Sequence, residues 1–106
     1  MKVFKALGLV EELGSADAVL AVDRMVKTSE VEFQTWHTKC GGHTTVFVSG
    51  DVAAVTEAVE MVKTDPPCEI IKTAVISNPS EEAERLVLEN RESSRFARAA
   101  FEKTES

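Results

Sequence analysis

Five residues, Lys39-Cys40-Gly41-Gly42-His43, separate two stretches that both read as β-strand, and this link constrains the fold more than any other feature of the chain. On one side, Val31, Phe33, Thr35 and His37 alternate with Glu32, Gln34, Trp36 and Thr38, the period-two pattern of a half-exposed strand. On the other, Thr44 to Val48 is β-branched and aromatic. So short a link, containing two glycines that can adopt positive φ, predicts an antiparallel hairpin.

The rest of the chain falls into place around that hairpin. Val3 to Val10 reads as a mostly buried strand in which Gly8 permits close packing, and Glu11 and Glu12 are expected to end it near the surface. Gly14-Ser15 opens a helix, with Ser15 as the capping candidate and Ala18, Val19, Val22, Met25 and Val26 as its apolar stripe to about Thr28. Gly50-Asp51 offers a turn and an N-cap for a second helix over 52–63, striped by Val52, Val55, Val59 and Val62. Asp65-Pro66-Pro67 ends it, because proline lacks the amide hydrogen and restricts the residue before it.

Cys68 to Ile76 is a further β-run with Ile70, Ile71, Ala74, Val75 and Ile76 as core candidates. After the Asn78-Pro79 turn, Ser80 with Glu81, Glu82 and Glu84 suits a helix start, and Ala83, Leu86 and Val87 give it an apolar face. The order is β-α-β-β-α-β-α. It predicts an α+β fold of the split β-α-β, ferredoxin-like type, an antiparallel sheet with helices on one face. The helix could continue to Phe101, with Phe96, Ala97, Ala100 and Phe101 at helical intervals serving either internal packing or a partner, and 102–106 is expected to fray. The main domain is expected over 1–90 and a helical extension over 91–106.

Composition excludes several classes of function. The 106 residues suit one domain, and 43% hydrophobic with 28% charged content is that of a soluble globular protein without the roughly 18 consecutive apolar residues of a membrane span. A net charge of −6 with scattered basic residues argues against phosphate-backbone binding to nucleic acid. Met1 leads into Lys2-Val3-Phe4-Lys5 without the apolar core and cleavage site of a secretory signal, so a cytoplasmic setting is expected.

Two cysteines, Cys40 and Cys68, are too few for a disulfide framework; each is expected as a free thiol or a ligand. Cys68, at a strand start after two prolines, reads as a structural thiol. His37 reads as a packed or surface histidine, and the glutamates over 81–92 as a solvated helix face rather than an acid-base pair. No Ser/His/Asp arrangement or phosphate loop stands out, and no catalytic residue is assigned.

Several segments together resemble the bacterial microcompartment (BMC) shell domain. They are Ala6-Leu7-Gly8-Leu9-Val10-Glu11, the helix from Ala16-Asp17-Ala18 through Met25-Val26-Lys27, the run Val46-Phe47-Val48-Ser49-Gly50-Asp51-Val52-Ala53-Ala54-Val55, and Ala74-Val75-Ile76 before Pro79. The resemblance covers about residues 4 to 88. It implies a noncatalytic subunit forming a flat cyclic homo-hexamer that tiles with other shell proteins around encapsulated enzymes, with Lys39, Cys40, Gly41, Gly42 and His43 lining the central pore. Lys27 matches the family's hexamer-edge lysine. Asn78, within Ser77-Asn78-Pro79-Ser80, stands where common members carry an arginine in a Pro-Arg-Pro-His run, so the edge arginine is missing.

The pore loop departs as well, reading Lys39-Cys40-Gly41-Gly42 where typical members read Lys-Ile-Gly-Ser-Gly. In its cysteine it is similar to members associated with glycyl-radical enzymes, which hold an iron–sulfur cluster at the pore. A 4Fe-4S cluster normally takes four thiolates. Three alternate subunits could each give Cys40, leaving the fourth iron to water, His43 or a small molecule. The competing reading makes Cys40 a plain rim side chain and leaves His43 facing solvent. Two other classes stay open on the sequence: a small ferredoxin-like ligand-binding regulator, and an oligomeric electron carrier built on Cys40.

Overall fold

The computed structural model describes residues 2–39 and 41–93. Its elements follow the predicted order: β1 (Ala6–Leu13), α1 (Gly14–Thr28), β2 (Glu32–Thr38), β3 (His43–Gly50), α2 (Val52–Thr64), β4 (Ile70–Ser77) and α3 (Glu81–Ser93). All neighbouring strands are antiparallel, in the order β2-β3-β1-β4. The α+β architecture and the hairpin are those expected, since β3 separates β1 from β2 as a split β-α-β unit requires.

The faces differ from the expectation that all helices share one side. Alternate residues of a strand point to opposite faces. Ala6 and Val10 of β1, with Val46 and Val48 of β3, meet Ala18, Ala21 and Met25 of α1 and Val55, Ala58, Val59 and Val62 of α2. Leu7 belongs to a second, smaller cluster with Phe4 and Val87, flanked by Leu9, Phe47, Ile76 and Leu88. Helices α1 and α2 therefore cover one face, and α3 covers the other.

Small residues set the helix-to-sheet distance on the first face. A Cβ built on Gly8 would stand 2.9 Å from Val55 Cγ1 and 3.1 Å from both Val48 Cγ2 and Val59 Cγ2. Those valines are stiff at χ1, so Gly8 is required for α2 to lie this close to β1.

Strand β1 starts and ends later than the hydrophobic run suggests. Val3 and Phe4 precede the sheet, and their amides donate to Glu84 Oε2 of α3 at 2.8 and 2.7 Å. Glu11 and Glu12 lie within the strand, and Glu12 is fully buried rather than at the surface. Glu84 is likewise buried, so the acidic run of α3 is not wholly a solvated face.

In β2 the pairing with β3 shifts between Phe33 and Thr35. The extra residue breaks the period of two. As a result Phe33 and Trp36 both pack against the α1/α2 core, edge to face with ring centroids 5.9 Å apart, while Thr35 turns to α3, where Asn90 Nδ2 donates to its hydroxyl at 3.0 Å and to the Trp36 carbonyl at 2.7 Å.

Helix starts also depart from the sequence reading. The N-cap position of α1 is Leu13, with no side-chain cap, so Ser15 stands in the first turn. Asp51 holds the N-cap position of α2, but its carboxylate pairs with Lys5 Nζ at 3.1 Å. Ser80 caps as expected, its Oγ accepting the Ala83 amide at 3.1 Å. Several expected core residues remain outside the core: Val19 and Val26 of α1, Val52 of α2, Ile71 and Val75 of the edge strand β4, and Leu86 of α3 are exposed, as is Leu20 of α1. Among the described residues no helix is long and apolar enough to cross a membrane. Helix α3 runs unbroken past position 90, and the expected packing residues Phe96 to Phe101 lie outside the described residues.

Candidate functional site

The hairpin link is pinned at both ends. The Lys39 amide donates to the His43 carbonyl at 2.8 Å, and the Gly42 amide to the Lys39 carbonyl at 3.1 Å. Gly41 and Gly42 take φ of 92° and 86°, a region that favours glycine, and a Cβ at either would meet nothing within 4 Å. The backbone of this turn is thus uncovered on its outer side.

A third bond joins the loop to the helical layer. Gly14 N donates to the Gly42 carbonyl at 2.7 Å. The first amides of a helix lack intrahelical partners, and here the loop carbonyl satisfies one of them in place of a side-chain cap. Movement of Gly42 is therefore coupled to the corner between β1 and α1.

Of the loop residues named from the sequence, Lys39, Gly41 and Gly42 are exposed and His43 is half-buried. His43 does not simply face solvent: its Nδ1 lies 2.8 Å from Glu11 Oε2, a carboxylate partner that orients the ring. The sequence reading missed Glu11 because it placed this residue at the end of the strand. Cys40, the metal-ligand candidate, lies outside the described residues.

Behind the loop, on the opposite face of β1 from Glu11, stands Glu12. Its register partners are Thr44 on β3 and Ile70 on β4. Both carboxylate oxygens are buried without a hydrogen-bond partner among the described residues. Burial pushes its carboxyl up to about 7, Asp17 and Glu11 add like-charge repulsion, and the amide of its own residue offsets part of this. Nothing in the local sequence separates Glu12 from Glu11; the signal is the strand register, which alternates the two side chains between faces.

Cys68 is half-buried and its thiol donates to the Asp17 carbonyl at 3.6 Å, as a structural thiol would. Burial, with the charges of Asp17 and Glu12, raises its pKa and keeps the thiolate unavailable. His37 is exposed near the loop end of β2. Lys27 is exposed at the C-terminal end of α1, with Nζ 3.0 Å from Asp23 Oδ2 one turn back. Asn78 directly follows β4 with φ of 50°, its amide donating to the Lys5 carbonyl at 2.9 Å.

Comparison with known proteins agrees with this architecture. The BMC domain matches residues 6–79. The carboxysome shell protein CcmK1 of Thermosynechococcus vestitus is 36% identical over 83 residues, covering 74% of each chain. The carboxysome shell protein CsoS1A of Hydrogenovibrio crunogenus is 33% identical over 84 residues, covering 74% of this chain and 85% of that one. A microcompartment protein from Desulfitobacterium hafniense of known structure is similar with a TM-score of 0.64 at 29% identity, and the match spans 74% of this chain but only 44% of that one. These relatives are structural shell components rather than enzymes, and the chain belongs to the BMC domain family.

Proposed function

We propose that the chain is a shell subunit that closes into a cyclic homo-hexamer, with Lys39, Cys40, Gly41, Gly42 and His43 from each copy forming the rim of a central pore. What carries this reading is the loop itself: two glycines with positive φ and open space around them, fastened at the end of a hairpin in a domain shared with carboxysome shell proteins. Exposed apolar residues on α1 (Val19, Leu20, Val26) and on the edge strand β4 (Ile71, Val75) support self-association, since an unpaired strand edge with apolar side chains is a surface another chain can cover. Lys27 and Asn78 are assigned to the hexamer edge, where such hexamers would meet other shell proteins around encapsulated enzymes in the bacterial cytoplasm.

Cys40 is proposed as the metal-binding residue of this rim, of the kind found in glycyl-radical-associated shells. Among the described residues no three His, Cys, Asp or Glu side chains of one chain come together as a metal site. A 4Fe-4S cluster would therefore need Cys40 thiolates from several copies, which the symmetry of a ring supplies. Such a cluster would supply one-electron transfer across the shell. The protein's own part is to hold the rim: the Glu11 carboxylate fixes the His43 ring and the Gly42 carbonyl anchors the turn to α1.

Native mass spectrometry of anaerobically purified protein tests the assembly. A hexamer is expected, and a persistent monomer would remove the pore. Anaerobic iron and sulfide reconstitution followed by absorbance and paramagnetic resonance tests the cluster; a Cys40→Ser variant that binds as much iron as the parent would eliminate Cys40 as ligand.

A further inference from the structure

We propose that Glu12 is a proton-operated latch for the hairpin turn: with its carboxyl protonated, the corner between β1 and α1 stays closed against Gly42 and His43, and on ionisation that corner opens and frees them. The proposal bears on the gating of the proposed pore, but the latch is a property of a single chain and can be tested whether or not a hexamer forms.

Three observations carry it. First, Glu12 is fully buried and neither of its oxygens has a hydrogen-bond partner among the described residues; only the amide of its own residue acts to favour the carboxylate, and burial outweighs it. Buried, unpaired polar groups are uncommon and costly, and an unpaired charge costs more. Second, no cation among the described residues compensates. The charges that act on Glu12 come from Asp17 on α1 and Glu11 beside it on β1, both acidic, and the Cys68 thiol ahead of β4 feels Glu12 in turn. Opposite it stand Thr44 on β3 and Ile70 on β4, neither of which titrates. Helix α2 meets the sheet through Val55, Ala58, Val59 and Val62. His43 and the register neighbour Lys72 lie alongside Glu11, on the other face of the strand.

Third, the residues next to Glu12 hold the loop. Leu13 pairs in register with His43, and the Gly14 amide donates to the Gly42 carbonyl. An ionised Glu12 gains water only if this corner parts from the core beneath it. Parting it breaks the Gly14–Gly42 bond and loosens the turn. The proton passes to bulk water, so the device needs no other reactant.

Hydrogen exchange of the Gly14 and Lys39 amides across pH, expressed as protection factors to remove the intrinsic pH dependence, tests the latch on the full chain in its native assembly. The wild type should lose protection by roughly thirtyfold between about pH 5.5 and about pH 8, as opening is linked to release of one proton. Glu12→Gln, which keeps the shape and removes the charge, should flatten the profile. Asp17→Asn, which removes a neighbouring negative charge, lowers the carboxyl's proton affinity in the closed state and narrows its difference from the open state, so the loss of protection between the two pH values should be smaller than in the wild type. A flat wild-type profile, or the same fall in Glu12→Gln, overturns the proposal. Should Glu12→Gln not fold, an Asp17→Asn profile identical to that of the wild type overturns it equally.

Discussion

On one face of the sheet, α1 and α2 bury Ala18, Ala21, Met25, Val55, Ala58, Val59 and Val62 against Ala6, Val10, Val46 and Val48; on the other, α3 brings Val87 to a smaller cluster with Phe4 and Leu7, flanked by partly buried Leu9, Phe47, Ile76 and Leu88, and adds polar straps. Those straps are Glu84 to the Val3 and Phe4 amides, Asn90 to Thr35 and Trp36, and Arg91 Nη1 to Gln34 Oε1 at 2.8 Å. The first face is sealed by close packing of small side chains. The second combines a smaller apolar cluster with a few directed bonds, with Leu86 left 69% exposed. A packed layer should fail through cavities and overpacking, whereas a strapped layer should fail through loss of particular donors and acceptors.

The sharpest way to separate the two is to open a cavity in the packed layer. Met25 is fully buried, and Met25→Ala should destabilise by about 3 kcal/mol in urea unfolding at neutral pH. The buried carboxyl in the same layer should come next. The folded chain holds the Glu12 proton to about 7 while an unfolded glutamate releases it near 4.5, so stability should fall as pH rises from about 4.5 and level off above about 7. Glu12→Gln should remove that slope and leave the variant about 2 to 3 kcal/mol more stable than the wild type at pH 8.

A smaller effect is expected from overfilling the packed layer. Gly8→Ala places a methyl 2.9 Å from Val55 Cγ1, which forces α2 outward and should cost about 1 to 2 kcal/mol by thermal or chemical denaturation. The smallest change should come from the strapped face. The Phe4 amide, helped by the Val3 amide and the charge of Lys2, outweighs the opposing effect of burial and holds the Glu84 carboxyl below its usual value. Its stabilisation is therefore present above about pH 4.5 and lost as pH falls through the lowered folded value. Glu84→Gln keeps one oxygen for both amides, so stability at neutral pH should drop less than in Gly8→Ala while the acid-side slope disappears. A Glu84→Gln loss exceeding that of Met25→Ala would show that the straps, not the packed layer, dominate.

Legibility in the sequence followed the same division. Periods of two and 3.6 located β2, β3, α1 and α2 closely, and Ser80 marked the start of α3. Strand β1 was displaced because Val3 and Phe4 look like strand residues but serve as the seat for Glu84, while Glu11 and Glu12 look like surface residues but continue the ladder. The shift in β2 that brings Phe33 and Trp36 to one face depends on pairing with β3, which no local period records. At the site, the glycines and His43 of the loop were evident from residue type alone. Glu11 and Glu12 were not, because their roles depend on which side of β1 each one faces.

By itself the sequence determined the order of elements, the hairpin and its two-glycine turn, and the resemblance to the BMC domain, because these rest on local backbone preference and on the spacing of apolar residues along the chain. Only the tertiary structure decided that α3 crosses to the opposite face, that the loop is fastened to the first turn of α1, and that an unpaired carboxyl lies buried behind it. Each of these turns on contacts between residues far apart in sequence, where burial and hydrogen-bond geometry outweigh any local signal.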